Sequence, residues 1–322
     1  MQSVKFHRNK RRRFFANRWT ERAVNITVEM LNSKLSSVDT IHTVNNNPMS
    51  KEFQEEAKKR GISGYEYSQL LKGRSCGNSE GCNSGGPSCD EYQKSPSQIK
   101  QMLIEKYRGK NLEDTIVGKV IKTEKGECYH IESQEMVDSV NIGSEKSLVF
   151  DIETMGFSSV PIILIGLAHV RDNNILVDQY LPRRVEEEPA MLSAFMNRVK
   201  ESDTIITFNG ARFDLPFVEE RLSHHSIEGS IYSKIHHDAL PLSRYAWQKK
   251  LPNCKLGTLE KYILGIERDD DVPSRSVPDF YRTYLKQNNV GPLVPIVEHN
   301  RQDLITLARI FSKLREPKRE SK

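Results

Sequence analysis

Two acids, Asp151 and Glu153, interrupt an otherwise apolar run over residues 148–156, LVFDIETMG. A strand sends residues i and i+2 to the same face. Asp151 and Glu153 are therefore expected to project together, with Leu148, Phe150 and Ile152 filling the opposite face. Two adjacent anions on a half-buried strand repel each other and are costly to desolvate. A hard divalent cation relieves both costs, and oxygen-rich donor sets suit Mg²⁺ or Mn²⁺. The pair thus calls for a strand whose acidic face opens onto a cation site rather than a closed apolar core.

The run lies in the last of three zones. Residues 1–95 are polar and irregular, and read as a basic, partly disordered extension and linker. Val44-Asn45-Asn46-Asn47-Pro48 has turn chemistry, and residues 73–96 are rich in Gly, Ser, Asn and Pro. Helices are expected there over 20–35 and 52–59. Residues 96–143 read as a small helix plus β element: a helix over 96–107, then strands over 117–123 and 128–131 about a Lys125-Gly126 turn. Residues 144–315 form the main domain. Strands are expected at 148–153, 162–170, 175–180 and 204–208. Helices are expected at 187–200, 213–222, 239–247, 258–264, 278–286 and 293–314. Strands first in a meander, then alternating with helices, predict an α/β fold on a mixed sheet.

Two further acids stand out. Asp214 follows a strand end in Thr207-Phe208-Asn209-Gly210-Ala211-Arg212-Phe213-Asp214, where Gly210 supplies the turn. Ligand sites in open α/β sheets collect where strands end. An Asp in the first turn of a helix also caps free backbone N–H groups, and the fragment alone leaves both readings open. Asp303 lies on the last expected helix, with His299 four residues earlier on the same face. By itself that fragment is explained more simply as a surface pair.

Together, Phe150-Asp151-Ile152-Glu153-Thr154, Asn209-x3-Phe213-Asp214 and His299-x3-Asp303 resemble the three exonuclease motifs of the DEDD group of 3′–5′ exonucleases, which have a ribonuclease H-like fold. The stretch Cys254-Lys255-Leu256-Gly257-Thr258-Leu259-Glu260, the following Leu264-Gly265-Ile266-Glu267-Arg268 and the β element over 118–132 resemble the YprB-like ribonuclease H-like subfamily. Those proteins are relatives of the exonuclease domain of family B DNA polymerases. The likeness covers roughly residues 103–315.

The resemblance implies a ribonuclease H-like mixed sheet flanked by helices. In it Asp151, Glu153, Asp214 and Asp303 hold two divalent cations, Mg²⁺ or Mn²⁺, and His299 orients or deprotonates the attacking water. Asn209 is expected to contact the substrate backbone or brace the site, and Phe213 to pack beside the terminal base or in the core. The histidine branch of the group has His-x4-Asp, whereas this chain has the tyrosine-branch spacing with a histidine, a hybrid that YprB-like sequences resemble. One residue turns a helix by about 100°, so this spacing bears directly on the role of His299. The implied activity is metal-dependent 3′–5′ exonucleolytic hydrolysis of DNA or RNA at a single-stranded 3′ end. The alternatives are a noncatalytic nucleic-acid-binding module on the same scaffold and a structure-selective endonuclease.

Composition agrees with a nucleic-acid partner and against a membrane. The chain of 322 residues carries a formal net charge of +5. It has no apolar run of about 18 residues, so no membrane span is expected. No apolar leader core is present, so no secretory signal is expected. Five irregularly spaced cysteines point to a reducing compartment, the cytoplasm. The stretch from His7 through Arg8, Lys10, Arg11, Arg12 and Arg13 to Phe14 and Phe15, with Arg18, Trp19 and Arg22, mixes cations with rings, as single-stranded nucleic acid requires. A solvated basic tail is the alternative. Trp247, Lys249, Lys250 and Lys255 read equally as a backbone-tracking groove or a solvated helix face. Asp238 in His236-His237-Asp238 reads as the N-cap of a helix beginning at Ala239 in preference to a metal cluster. His224-His225 reads as a favourable helix-end contact. Cys76, Cys82 and Cys89 lack the tight pair and fourth ligand of structural zinc, and read as linker residues.

Overall fold

A computed structural model describes residues 95–266, 268 and 272–316. The expectations for residues 1–94, including the helices over 20–35 and 52–59, the basic aromatic arm and Cys76, Cys82 and Cys89, lie outside the described residues.

Helix α1 (Pro96–Lys106) opens with a capping box: the Ser95 side chain accepts the Gln98 N–H, and the Gln98 side chain accepts the Ser95 N–H. The short α2 (Leu112–Thr115) leads to β1 (Lys119–Thr123) and β2 (Gly126–Met136). Then β3 (Ser147–Thr154), β4 (Ile162–Arg171) and β5 (Asn174–Leu181) form an antiparallel meander. Helix α3 (Glu188–Glu201) crosses to β6 (Thr204–Thr207), and α4 (Asp214–His224) crosses to β7 (Ile235–Asp238). Helices α5 (Ala239–Trp247) and α6 (Leu256–Leu259) follow, the latter running into a π turn over Glu260–Leu264. Helices α7 (Val277–Gln287) and α8 (Leu293–Arg315) complete the described chain.

The seven strands make one mixed sheet in the order β1-β2-β5-β4-β3-β6-β7. Strands β3, β6 and β7 pair in parallel, and the remaining pairs are antiparallel. The helix-plus-β element expected over 96–143 gives its two strands to this sheet. The segment before Asp238, absent from the strands expected above, is β7, the parallel edge.

Central strands covered on both faces read as nearly continuous apolar runs, and β4 does so from Ile162 to Ala168. On one face, Leu148, Phe150 and Ile152 of β3 pack with Phe195 of α3 and Val218 of α4. On the other, Val149, Ala168, Val177 and Ile206 meet Leu304, Leu307, Ala308 and Phe311 of α8.

Gly166 sets how closely α8 approaches. It lies on β4 directly between Asp151 of β3 and Gln179 of β5. A Cβ there would fall 2.1 Å from Asn300 Oδ1 and 2.6 Å from Leu304 Cδ1. Overpacking of this kind costs about 1–3 kcal/mol. Gly166→Ala is expected to lower unfolding free energy by that order in a denaturant titration. A variant as stable as the wild type would show that α8 is not held at this distance by the missing side chain.

Candidate active site

Strand β3 carries Asp151 and Glu153 on the face that α8 covers, alternating with the apolar residues of the opposite face, as the period-2 pattern predicts. Its pairing with β6 ends at Val149 opposite Ile206, so the edge of β3 beyond that point is open. Asp214 occupies this opening as the first residue of α4. Its carboxylate accepts the backbone N–H of Ile152 and its own N–H. Helix start and strand edge are thus tied by one side chain; α4 has no side-chain N-cap bond, so Asp214 does not cap the helix as one of its two sequence readings expects.

The turn before Asp214 is built to deliver it. Asn209 adopts a left-handed φ of 65°, which Asn tolerates better than most residues. A Cβ at Gly210 would meet Thr207 Oγ1 at 2.3 Å, so the turn closes only around glycine. Asp238 fixes the loop: Oδ1 accepts the N–H groups of Asn209 at 2.8 Å and Leu240 at 3.0 Å, and Oδ2 accepts that of Ala211 at 3.3 Å. Asp238 therefore N-caps α5, as the sequence predicts, and clamps the approach to Asp214. His236 spends Nε2 on Thr207 Oγ1 at 2.8 Å, and burial lowers its pKa to about 4. His237 packs its ring against Phe311.

Helix α8 brings His299 and Asp303 from the other side. His299 is buried. Its Nε2 lies 3.1 Å from Ser274 Oγ, 3.7 Å from Asp303 Oδ2 and 4.0 Å from Glu153 Oε1. The His-x3-Asp spacing therefore leaves the ring between the two acids. Arg268 donates to Asp303 Oδ1 at 2.5 Å and to Glu260 Oε2 at 2.6 Å. Glu260, in the π turn, is buried and also accepts from Gln302 at 2.8 Å and Thr306 at 2.7 Å.

Electrostatics make Asp151 the centre of the group. Burial, then the charges of Asp214, Asp303 and Glu153, push its carboxyl well above the usual carboxylate range, while His299 pulls the other way. Burial pushes Asp214 up to about 7 against the two backbone N–H donors, and Asp238 adds to the rise. These oxygens are desolvated and repel one another, the condition a hard cation relieves. The donor set fits divalent metal by its chemistry: four carboxylates with one imidazole beside them.

Asp151, Glu153, Asp214, Asp303 and His299 thus converge. Asn209 and Phe213 belong to the turn that delivers Asp214, and half-buried Phe213 packs its ring 5.5 Å from Phe217 at the margin of the core. Trp247 packs beside Leu251, Leu259 and Ile310, which assigns it to a small apolar cluster, while Lys249, Lys250 and Lys255 are exposed. His225 ends α4 and pairs with Glu188 of α3 at 2.8 Å. A separate donor group, His130, Glu132 and Asp178, has ligand atoms within 4.8 Å of one another. Its acids already face cations: Glu132 meets Lys119 at 2.6 Å, and Asp178 meets Arg198 at 3.4 Å.

Sequence reasoning misses Asn300, Gln179 and the pairing of Glu260 with Arg268. Asn300 does leave a trace, because it breaks the apolar stripe of Leu293, Val297, Leu304, Leu307 and Phe311. Gln179 breaks the alternation between Val177 and Leu181. Glu260 and Arg268 lie in the stretches that carry the family resemblance, but nothing in the sequence pairs them, since the loop between them must close before they meet.

The RNase_H_2 pattern of the RNase_H superfamily matches residues 148–315. YprB of Bacillus subtilis (strain 168), an uncharacterized protein, is 31% identical over 169 residues, covering 50% of this chain and 40% of its own length. A DNA polymerase of Pyrococcus glycovorans is 37% identical over 87 residues, covering 24% of this chain and 11% of the polymerase. The solved family B DNA polymerase of the archaeon Pyrobaculum calidifontis aligns with a TM-score of 0.42 at 14% identity, over 58% of this chain and 29% of that one. The chain spans less than half the length of the curated relatives it matches.

Asp214 has a signed pH consequence. Its carboxyl, raised from 3.8 to about 7, keeps in the folded state a proton that the unfolded chain releases. The stability this contributes is complete below the ordinary carboxylate range and is lost as pH rises through the folded value. The melting temperature of metal-free wild type should therefore fall relative to that of Asp214→Asn as pH rises from about 4 to about 7. A difference that stays flat with pH would contradict this assignment.

Proposed function

We propose that this chain, which belongs to the RNase_H_2 family of the ribonuclease H superfamily, is a metal-dependent 3′–5′ exonuclease acting on DNA or RNA. The observation that carries this reading is the convergence of Asp151, Glu153, Asp214 and Asp303 from β3, α4 and α8. These four residues would hold two divalent cations, Mg²⁺ or Mn²⁺. Bound there, such a pair supplies easier deprotonation of water and stabilisation of charge on the leaving oxygen.

The chain's own groups take the remaining roles. His299 takes the proton of the attacking water, a task suited to an imidazole near neutral pH. Ser274 Oγ, 3.1 Å from Nε2, orients the ring. Arg268 neutralises Glu260 and steadies Asp303 by donating to both. Asn209 contacts the backbone of the terminal nucleotide, and Phe213 lies beside its base. The substrate end is single-stranded, because the site must admit a terminal nucleotide. The polymerase relative supports nucleic acid as the substrate.

Residues 144–315 would constitute the exonuclease domain, residues 96–143 its helix-plus-β element, and residues 1–95 a basic extension for nucleic acid. Among the described residues no helix is long and apolar enough to cross a membrane. The free thiols of buried Cys128 and Cys254 suit a reducing cytoplasm.

The test is product analysis on 5′-labelled DNA and RNA with Mg²⁺ and then Mn²⁺. A ladder shortening from the 3′ side is expected. Asp214→Asn should lose activity while keeping its fold, because it removes one carboxylate of the proposed metal-holding set. Full activity in that variant would refute the reading. Binding without cleavage would favour a noncatalytic module, and internal fragments a structure-selective endonuclease.

A further inference from the structure

Beneath the carboxylates a row of polar groups crosses the sheet. Asp151, Gly166 and Gln179 are directly opposed on β3, β4 and β5, so they share one face. Asn300 of α8 lies over Gly166, in the space its missing side chain leaves. Both Gln179 and Asn300 are fully buried. Gln179 Nε2 donates to the Val297 carbonyl at 2.8 Å and to Asn300 Oδ1 at 2.9 Å. Asn300 Nδ2 donates to Asp151 Oδ2 at 2.9 Å.

The direction of this chain is forced. A backbone carbonyl can only accept, so Val297 obliges Gln179 to present its NH₂ group. Flipping the Gln179 amide would set its oxygen against two acceptor oxygens. With its NH₂ turned toward Asn300, Gln179 requires the oxygen of that amide on its side. Asn300 must then present N–H to Asp151. Gln179 Oε1, buried without a hydrogen-bond partner among the described residues, shows that the amide is held by its donor side. A buried unpaired acceptor is costly, so an arrangement that keeps one is held by the groups around it.

From this geometry we infer that Asn300, oriented by Gln179 and admitted by Gly166, is a positioning residue that fixes the Asp151 carboxylate as an acceptor ready for a divalent cation. This deepens the exonuclease reading and rests on it for the identity of the site. The donor favours the ionised carboxylate and limits its rotation, so one oxygen is spent on Asn300 while the other is left for coordination. Outer hydrogen bonds of this kind typically change metal affinity by about 10- to 100-fold when removed.

Two variants test it in the full chain, with binding followed as loss of the free Mn²⁺ electron paramagnetic resonance signal. Asn300→Leu keeps the shape and removes the donor; Gln179→Met keeps the volume and removes the orienting group without touching any carboxylate. Thermal unfolding shows that each variant is folded. Asn300→Leu should weaken Mn²⁺ binding about tenfold, and Gln179→Met severalfold in the same direction. If cleavage occurs, the Mn²⁺ concentration for half-maximal rate should rise by matching factors, with the rate recovering at saturating metal. Wild-type Mn²⁺ affinity in both folded variants would overturn the inference. Should Asn300→Leu fail to fold, Gln179→Met alone decides. Weakened binding in the variants of a protein that cleaves nothing would uphold the positioning role and refute the exonuclease. Failure of the wild type to bind Mn²⁺ would overturn both.

Discussion

Repulsion among Asp151, Glu153, Asp214 and Asp303 is the constraint around which the centre of this molecule is arranged. Acids taken out of water normally neutralise or find a partner. Here burial and the charges of Asp214, Asp303 and Glu153 push Asp151 well above the usual carboxylate range, while burial, with Asp238 beside it, raises Asp214 to about 7. The fold nevertheless brings them together from a strand, a helix start and a long helix. Backbone groups and close packing set much of this arrangement. Asp214 holds the Ile152 N–H at the open edge of β3, Asp238 clamps the turn that precedes it, and Gly166 lets α8 settle onto the sheet. A sheet with apolar residues at these positions would need none of these devices.

The surrounding polar groups are organised with the same economy. Arg268 is shared between Glu260, buried in a π turn, and Asp303 at the site. Glu260 in turn takes donors from Gln302 and Thr306 of α8, so the loop carrying Arg268 and the helix carrying Asp303 are joined through one carboxylate. On the sheet side, Asn300 and Gln179 form a second brace beneath Asp151. Both braces rely on α8, which is why one helix carries the imidazole, an acid and the amide. The His-x3-Asp spacing fits this arrangement, because it sets Nε2 near Asp303 and Glu153 alike.

Much of this was legible in the order of residues. The alternation of LVFDIET placed Asp151 and Glu153 on one face, because strand periodicity is local and strict. The meander followed by helices gave the mixed sheet, because apolar runs bounded by turn residues mark strands directly. Asp238 was readable as a cap, because capping depends on neighbours in sequence. The reading did not extend to β2 past Ile131, since its outer half alternates weakly and is stabilised by pairing with β5. Nor did it find Asn300 or Gln179 as partners. Each shows only as one polar residue in an apolar stripe, and their meaning depends on strand register and on the depth at which α8 sits. Arg268 and Glu260 were further from reach, because they are joined only by closure of a loop.

The central claim is that these four carboxylates share a pair of divalent cations. Its most direct test is an anomalous difference map from crystals of the protein soaked in MnCl₂. Two peaks roughly 4 Å apart, coordinated by Asp151, Glu153, Asp214 and Asp303, are predicted. A map empty among those carboxylates, or with manganese only beside His130 and Asp178, would contradict it.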